Sequence, residues 1–139
     1  MQASGGPGII PFELAGPTRS EAILHAWGNE GRRAARASLM LDFPFLLAYT
    51  TLNVELTRCV SASASGDGAF GSLARVVMAI QVAAGACDAI ENTALLIIVT
   101  RGADNRLASI AQTAARAKFA GLITGWLYGA AVVCKRRFT

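Results

Sequence analysis

Residues 76–100 read VVMAIQVAAGACDAIENTALLIIVT, an apolar run without a single Lys or Arg. As a helix rising about 1.5 Å per residue, such a stretch crosses a hydrocarbon layer of roughly 30 Å. Arg75 stands before it and Arg101 closes it, so charge collects at its ends rather than along one face. This distribution predicts a membrane span over about residues 73–100.

Two further runs flank it. Residues 39–56 (LMLDFPFLLAYTTLNVEL) follow the basic turns of Arg32, Arg33 and Arg36 and predict a span over about 38–60. Pro44 lies inside it, removes one amide donor from the carbonyl of Met40, and predicts a helix kink there. Bilayer proteins tolerate such a proline when neighbours satisfy the freed carbonyl. The third helix, about 106–134, is clearly apolar only from Phe119. Ser61 to Ser72 reads as a small-residue turn. Arg101 to Asn105 breaks the next two helices, with Asp104 or Asn105 as N-cap.

The composition agrees. The 139 residues are 53% hydrophobic and 16% charged, against about 25% charged in soluble domains. The fold expected is therefore all-α, an integral membrane bundle of three transmembrane helices. A soluble helical bundle is the alternative, because every span contains polar residues. The first stretch, 1–17, carries Gly5, Gly6, Pro7, Gly8, Pro11, Gly16 and Pro17 and reads as a flexible tail before a single domain of 18–139. No basic start followed by an apolar run marks a cleavable signal within residues 1–37. Thr18 and Glu21 fit a capping box that opens a short helix ending near Gly28. That helix is too short to span, and it reads as interfacial with Trp27 at headgroup depth, or else as a soluble lid.

Positive charge favours the cytoplasmic side. The N-terminal flank and the 101–118 connection carry eight Lys and Arg, and the 58–75 connection with the tail carries five. This predicts an N-terminus inside and a C-terminus outside, although Lys135, Arg136 and Arg137 pull the other way. The net charge of +4 and pI near 9.4 thus belong beside a lipid bilayer rather than on nucleic acid, for which no motif appears.

The ionisable residues within the spans carry the information, because each costs at least about 2.5–3.5 kcal/mol to insert and needs a partner or a task. In antiparallel hairpins turning near Gly66 and Ala103, Asp42 and Arg116 both come level with about Ile90. Asp42, Asp88, Glu91, Asn92, Arg116 and Lys118 therefore form one intramembrane polar layer within about one helical turn. Asp42, Tyr49 and Asn53 share one stripe of their helix, and Gln81, Asp88, Glu91 and Asn92 cover one side of the next. On the third helix Lys118 shares its face with Gly121, Gly125 and Gly129, whose four-residue steps admit a close helix. The partner is either Ala79, Ala83 and Ala84 of this chain or a second copy, in a homo-oligomer or larger membrane complex.

Two readings of the layer stay open. It is an internal salt-bridge network in which three carboxylates face two bases. Or the surplus carboxylate holds a proton or cation, as acids in small transporters do; a lipid headgroup site is a further alternative. No catalytic signature appears: there is no nucleophile elbow and no second histidine beside His25. Cys59, Cys87 and Cys134 lack ligand spacing, so neither a metal site nor a cofactor is expected. Asp88 and Glu91 on one face resemble a Mg²⁺ site only weakly.

The strings Trp27 to Arg32, Ser38 to Phe43 and Cys87 to Asn92 resemble a group of small bacterial membrane proteins, with the likeness spread over about residues 12–134. It implies an inner-membrane location and no particular activity. The leading expectation is a non-enzymatic accessory or assembly subunit. A small proton- or cation-coupled transporter is the rival, and an enzyme or binder acting on lipid comes third.

Overall fold

The computed structural model describes residues 7–62 and 68–137, without the side chains of residues 68–70 and 136. Four helices follow one another: α1 (Ile9–Glu13), α2 (Gly16–Ala62), α3 (Gly68–Arg101) and α4 (Asn105–Arg137). No strand occurs among the described residues. α2, α3 and α4 are each long and apolar enough to cross a membrane. Their outer faces are strongly apolar, with Leu41 at 71%, Leu47 at 67% and Trp126 at 67% exposure. Water would penalise so much uncovered hydrocarbon.

The α3–α4 connection is tight for reasons visible in its residues. Gly102 takes φ 109°, and its amide closes α3 on the carbonyl of Ile98 at 2.9 Å. Asp104 then caps α4, its Oδ1 accepting from the amides of Arg106 (2.8 Å) and Leu107 (2.9 Å). The α2–α3 connection is shorter than Ser61 to Ser72, because α2 reaches Ala62 and α3 begins at Gly68. Residues 63–67 and 1–6 lie outside the described residues.

α3 and α4 pack backbone to backbone. A Cβ placed on Gly121 would stand 2.7 Å from the Cβ of Ala84 and 3.3 Å from the carbonyl oxygen of Ile80; one on Gly125 would overlap the Gln81 amide. Ala84 is thus the partner within the chain, while Ala79 and Ala83 are exposed. Gly129, by contrast, faces open space.

The N-terminal region departs from expectation. Residues 7–17 do not form a flexible tail. Phe12 and Ala15 are buried with Ile23, Leu24 and Trp27 in one cluster that includes Leu39, Ile98 and Ala111. Trp27 is 2% exposed, so it is a core residue and not a headgroup anchor. Its ring meets that of Phe12 at 4.7 Å, tilted by 55°, and its Nε1 donates to the carbonyl of Pro7 at 2.6 Å. The glycines and prolines of this stretch outweighed its few apolar residues in the reading by composition, yet Phe12 and Ala15 anchor it. Nor does Thr18 open a capping box. The helix begins at Gly16, with φ 63°, and Thr18 is exposed.

The break in helical angles within α2 lies at Gly28 (φ 57°, ψ −162°), a conformation essentially restricted to glycine. Residues 16–27 thereby leave the line of the helix after Gly28, and Ile23, Leu24 and Trp27 pack with Leu39, Ile98 and Ala111. Pro44 is inside α2, and helical angles continue through it.

Packing makes the three glycines of α4 unequal. Gly121→Ala should lower the stability of the detergent-purified protein by about 1–3 kcal/mol, the usual cost of overpacking, and Gly125→Ala by less because the Gln81 amide can shift. Gly129→Ala should leave the melting temperature within error of the parent. Equal effects at all three positions would contradict the packing described.

Candidate functional site

α2 and α3 meet along a line of polar side chains. Asn92 Nδ2 donates to Asp42 Oδ2 (2.6 Å), the Tyr49 hydroxyl donates to Asp88 Oδ2 (2.5 Å), and Thr57 Oγ1 donates to Gln81 Oε1 (3.1 Å). Residues 42, 49 and 57 recur every two turns of α2, so they line one face. Between them the helices approach closely: a Cβ on Gly85 would stand 2.5 Å from Thr50 Oγ1.

α4 contributes Lys118. Its ammonium lies 2.9 Å from Asp88 Oδ1 and 2.7 Å from Glu91 Oε2, and its side chain is 8% exposed. The contact to Asp88 is a hydrogen bond. The contact to Glu91 is an ion pair off the hydrogen-bond line, so neither Glu91 oxygen has a hydrogen-bond partner. Asn92 Oδ1 and Thr50 Oγ1 are likewise buried without one. Asp88 and Glu91 sit one turn apart on α3, which lets one ammonium reach both.

The structure brings Asp42, Asp88, Glu91, Asn92 and Lys118 together, and it does not bring Arg116. That residue is exposed. Two positions from Lys118 in a helix, it points to nearly the opposite side. Equal height along the bundle placed it in the layer, but height says nothing about face. The two-base count fails with it.

A further acid joins instead. Glu13 of α1, with Asp42, Asp88 and Lys118, lines a cavity of about 450 Å³ whose remaining walls include Phe45, Tyr49, Phe119 and Trp126. Composition hid Glu13, since a five-residue helix between Gly8 and Gly16 has no periodicity to read. Burial raises its proton affinity above the ordinary carboxylate value, the Lys118 charge opposes this, and Asp42 and Asp88 add to it. Two carboxylates thus hold the ammonium, and two more, Glu13 and Asp42, line the same cavity without contacting it. No group of three or more His, Cys, Asp or Glu converges tightly enough for a metal ion among the described residues. Cys59, Cys87 and Cys134 are free thiols.

Comparison of the chain with protein-family models, with curated proteins and with solved structures finds no match. The site therefore stands on its geometry.

Removing Lys118 leaves Asp88 and Glu91 buried without a counter-charge. Lys118→Met should therefore cost about 3–5 kcal/mol, the usual penalty for breaking a buried pair, read as lost accumulation and a lower melting temperature. Adding Glu91→Gln to Lys118→Met should recover a clear part of the loss. A Lys118→Met protein as stable as the parent would remove the lysine from its central role.

The raised proton affinity of Glu13 should make the docking of α1 depend on pH. Its carboxyl binds a proton more tightly folded than unfolded, so docking is strongest at low pH and weakens as pH rises from about the ordinary value of 4.5 through the raised one. In a Trp126→Phe background, Trp27 fluorescence should report this loosening, and Glu13→Gln should flatten the profile. A parent profile that is already flat would refute it.

Proposed function

We propose that this chain is a multi-pass membrane protein that binds a proton or cation in the carboxylate cavity, acting as a small proton- or cation-coupled carrier. One observation carries the reading: Glu13, Asp42 and Asp88 line a cavity of about 450 Å³ in which Lys118 is the single base among the lining residues, and that lysine is already shared between Asp88 and the buried Glu91. In a low-dielectric bundle such an excess of negative charge is costly. It is offset only by bound protons or by a bound cation, and the two then compete. Competition of that kind is what couples one species to the other in a carrier.

Membrane insertion is supported by three helices of spanning length and composition and by their apolar outer faces. The bacterial inner membrane follows from the sequence resemblance, and an N-terminus in the cytoplasm from the excess of Lys and Arg on that side. The lipid bilayer is then the first partner. A second reading, an accessory or assembly subunit of a larger membrane complex or homo-oligomer, draws on Gly129. That glycine faces open space in a groove with Leu56, Val60 and Trp126, where another helix would fit.

Two measurements test the proposal. A pair of C-terminal reporters, one active only inside the cell and one only outside, should give an outside signal; an inside signal would mean another span count or an inverted bundle. Saturable stabilisation of the purified protein by a monovalent cation, weaker at low pH, should be lost in Asp42→Asn while that variant still folds. A variant that merely melts lower, from a parent indifferent to cations and to pH, would leave the layer structural.

A further inference from the structure

We infer that the cavity takes an organic ammonium ion with an apolar body, admitted from the side of the bundle. The inference rests on the cation-binding reading above and names its ligand class. Three independent features of the cavity lead to it.

The first is where charge is left over. Lys118 is held between Asp88 and Glu91, so these acids already share a cation. Asp42 has a different partner, the neutral amide of Asn92, which satisfies an oxygen without cancelling charge. Neither Asp42 nor Glu13 forms an ion pair among the described residues. These two line the cavity and are free to face a ligand's positive charge.

The second is the rest of the cavity lining. Phe45, Tyr49, Phe119 and Trp126 contribute four aromatic rings to the walls, and the rings of Phe45 and Tyr49 stand 5.5 Å apart, tilted at 55°. Aromatic faces attract cations, and quaternary ammonium groups are their characteristic guests; the Phe119 ring already faces the Lys118 ammonium at 5.0 Å, which leaves Phe45, Tyr49 and Trp126 for a ligand. A small inorganic cation asks instead for several converging oxygens, and the described acids do not converge in that way. The volume, about 450 Å³, also falls in the range of small-molecule sites, roughly 300–1,000 Å³.

The third is the entrance. Phe45 and Trp126 line the cavity and are also 61% and 67% exposed. They therefore stand at its mouth, on the outer surface of α2 and α4. In a bilayer that surface meets lipid. A ligand with an apolar body would partition into the hydrocarbon, pass between these rings, and place its ammonium against Asp42 and Glu13.

The test is equilibrium dialysis of radiolabelled benzyltrimethylammonium against the full chain in a neutral maltoside detergent. This probe cannot lose a proton, so its charge is constant. Saturable binding should weaken roughly tenfold or more in Asp42→Asn and clearly in Trp126→Ala. Its neutral isostere neopentylbenzene, and sodium, should not displace it. Trp126 is exposed, so that variant keeps the inference testable should Asp42→Asn fail to fold. Displacement by neopentylbenzene, or binding unchanged in both variants, would mean partition into an apolar surface and would overturn the inference. Binding of labelled sodium that needs Asp42, with none of the organic probe, would overturn the ligand class and keep the cation reading. A folded protein that binds neither would overturn both.

Discussion

A single ammonium buried among helices constrains most of this molecule. Lys118 lies 2.9 Å from Asp88 and 2.7 Å from Glu91, and a buried lysine without such partners would be strongly destabilising. The pair fixes how α4 is rotated against α3. Gly121 and Gly125, three and seven residues on, then face α3 as well, and their missing side chains let the backbones close to the contact with Ala84 and Gln81. Asp88 extends the constraint. One of its oxygens accepts from Lys118 and the other from Tyr49 of α2. One carboxylate thus ties all three long helices at a common height.

How much of this could be read beforehand follows from what periodicity and turn chemistry encode. The three long helices were legible because apolar runs such as 76–100 admit no other element of that length. The cap was legible as Asp104 or Asn105 because a capping side chain acts within three residues of itself, and the structure uses Asp104. The heights of Asp42, Asp88, Glu91 and Lys118 came from counting outward from the turns, which works when helices are antiparallel and straight. Counting could not say that Arg116 points away, since rotation about the helix axis depends on which neighbour is packed. It could not find Glu13 either. α1 is five residues long, and nothing local says that Phe12 will dock against Trp27. That contact joins positions fifteen residues apart through a glycine-dependent start at Gly16. Trp27 was misplaced for the same reason: an amphipathic ring suits an interface until a tertiary partner covers it.

The break at Gly28 gives the N-terminal region its place. With a residue other than glycine there, α2 would favour a straight course, and residues 16–27 would project beyond the bundle. The turn instead carries Ile23 and Leu24 into the cluster formed with Ile98 and Ala111, and α1 is drawn down with them. Gln112 of α4 holds the connection by donating to the carbonyl of Leu14 at 3.1 Å. The short helix that follows Gly8 therefore has a defined position beside the polar layer, and its Ile10 and Glu13 complete a cavity formed otherwise by α2, α3 and α4.

A salt-bridge network and a binding site were rival readings of the polar layer, and the function proposed above divides them between residues. Asp88 has both oxygens occupied by partners from two other helices, which is the behaviour of a structural group. Asp42 and Glu13 stand apart from the lysine on the cavity side, one with only a neutral donor and one whose burial favours its protonated form. If adhesion were the whole purpose, apolar residues of similar size would serve as well at these two positions, since buried charge seldom adds net stability. On the proposed function, these two acids face the positive charge of a ligand from outside the chain. The structural half of the layer holds the helices apart at the right height, and the remaining acids are then left without a cation of their own.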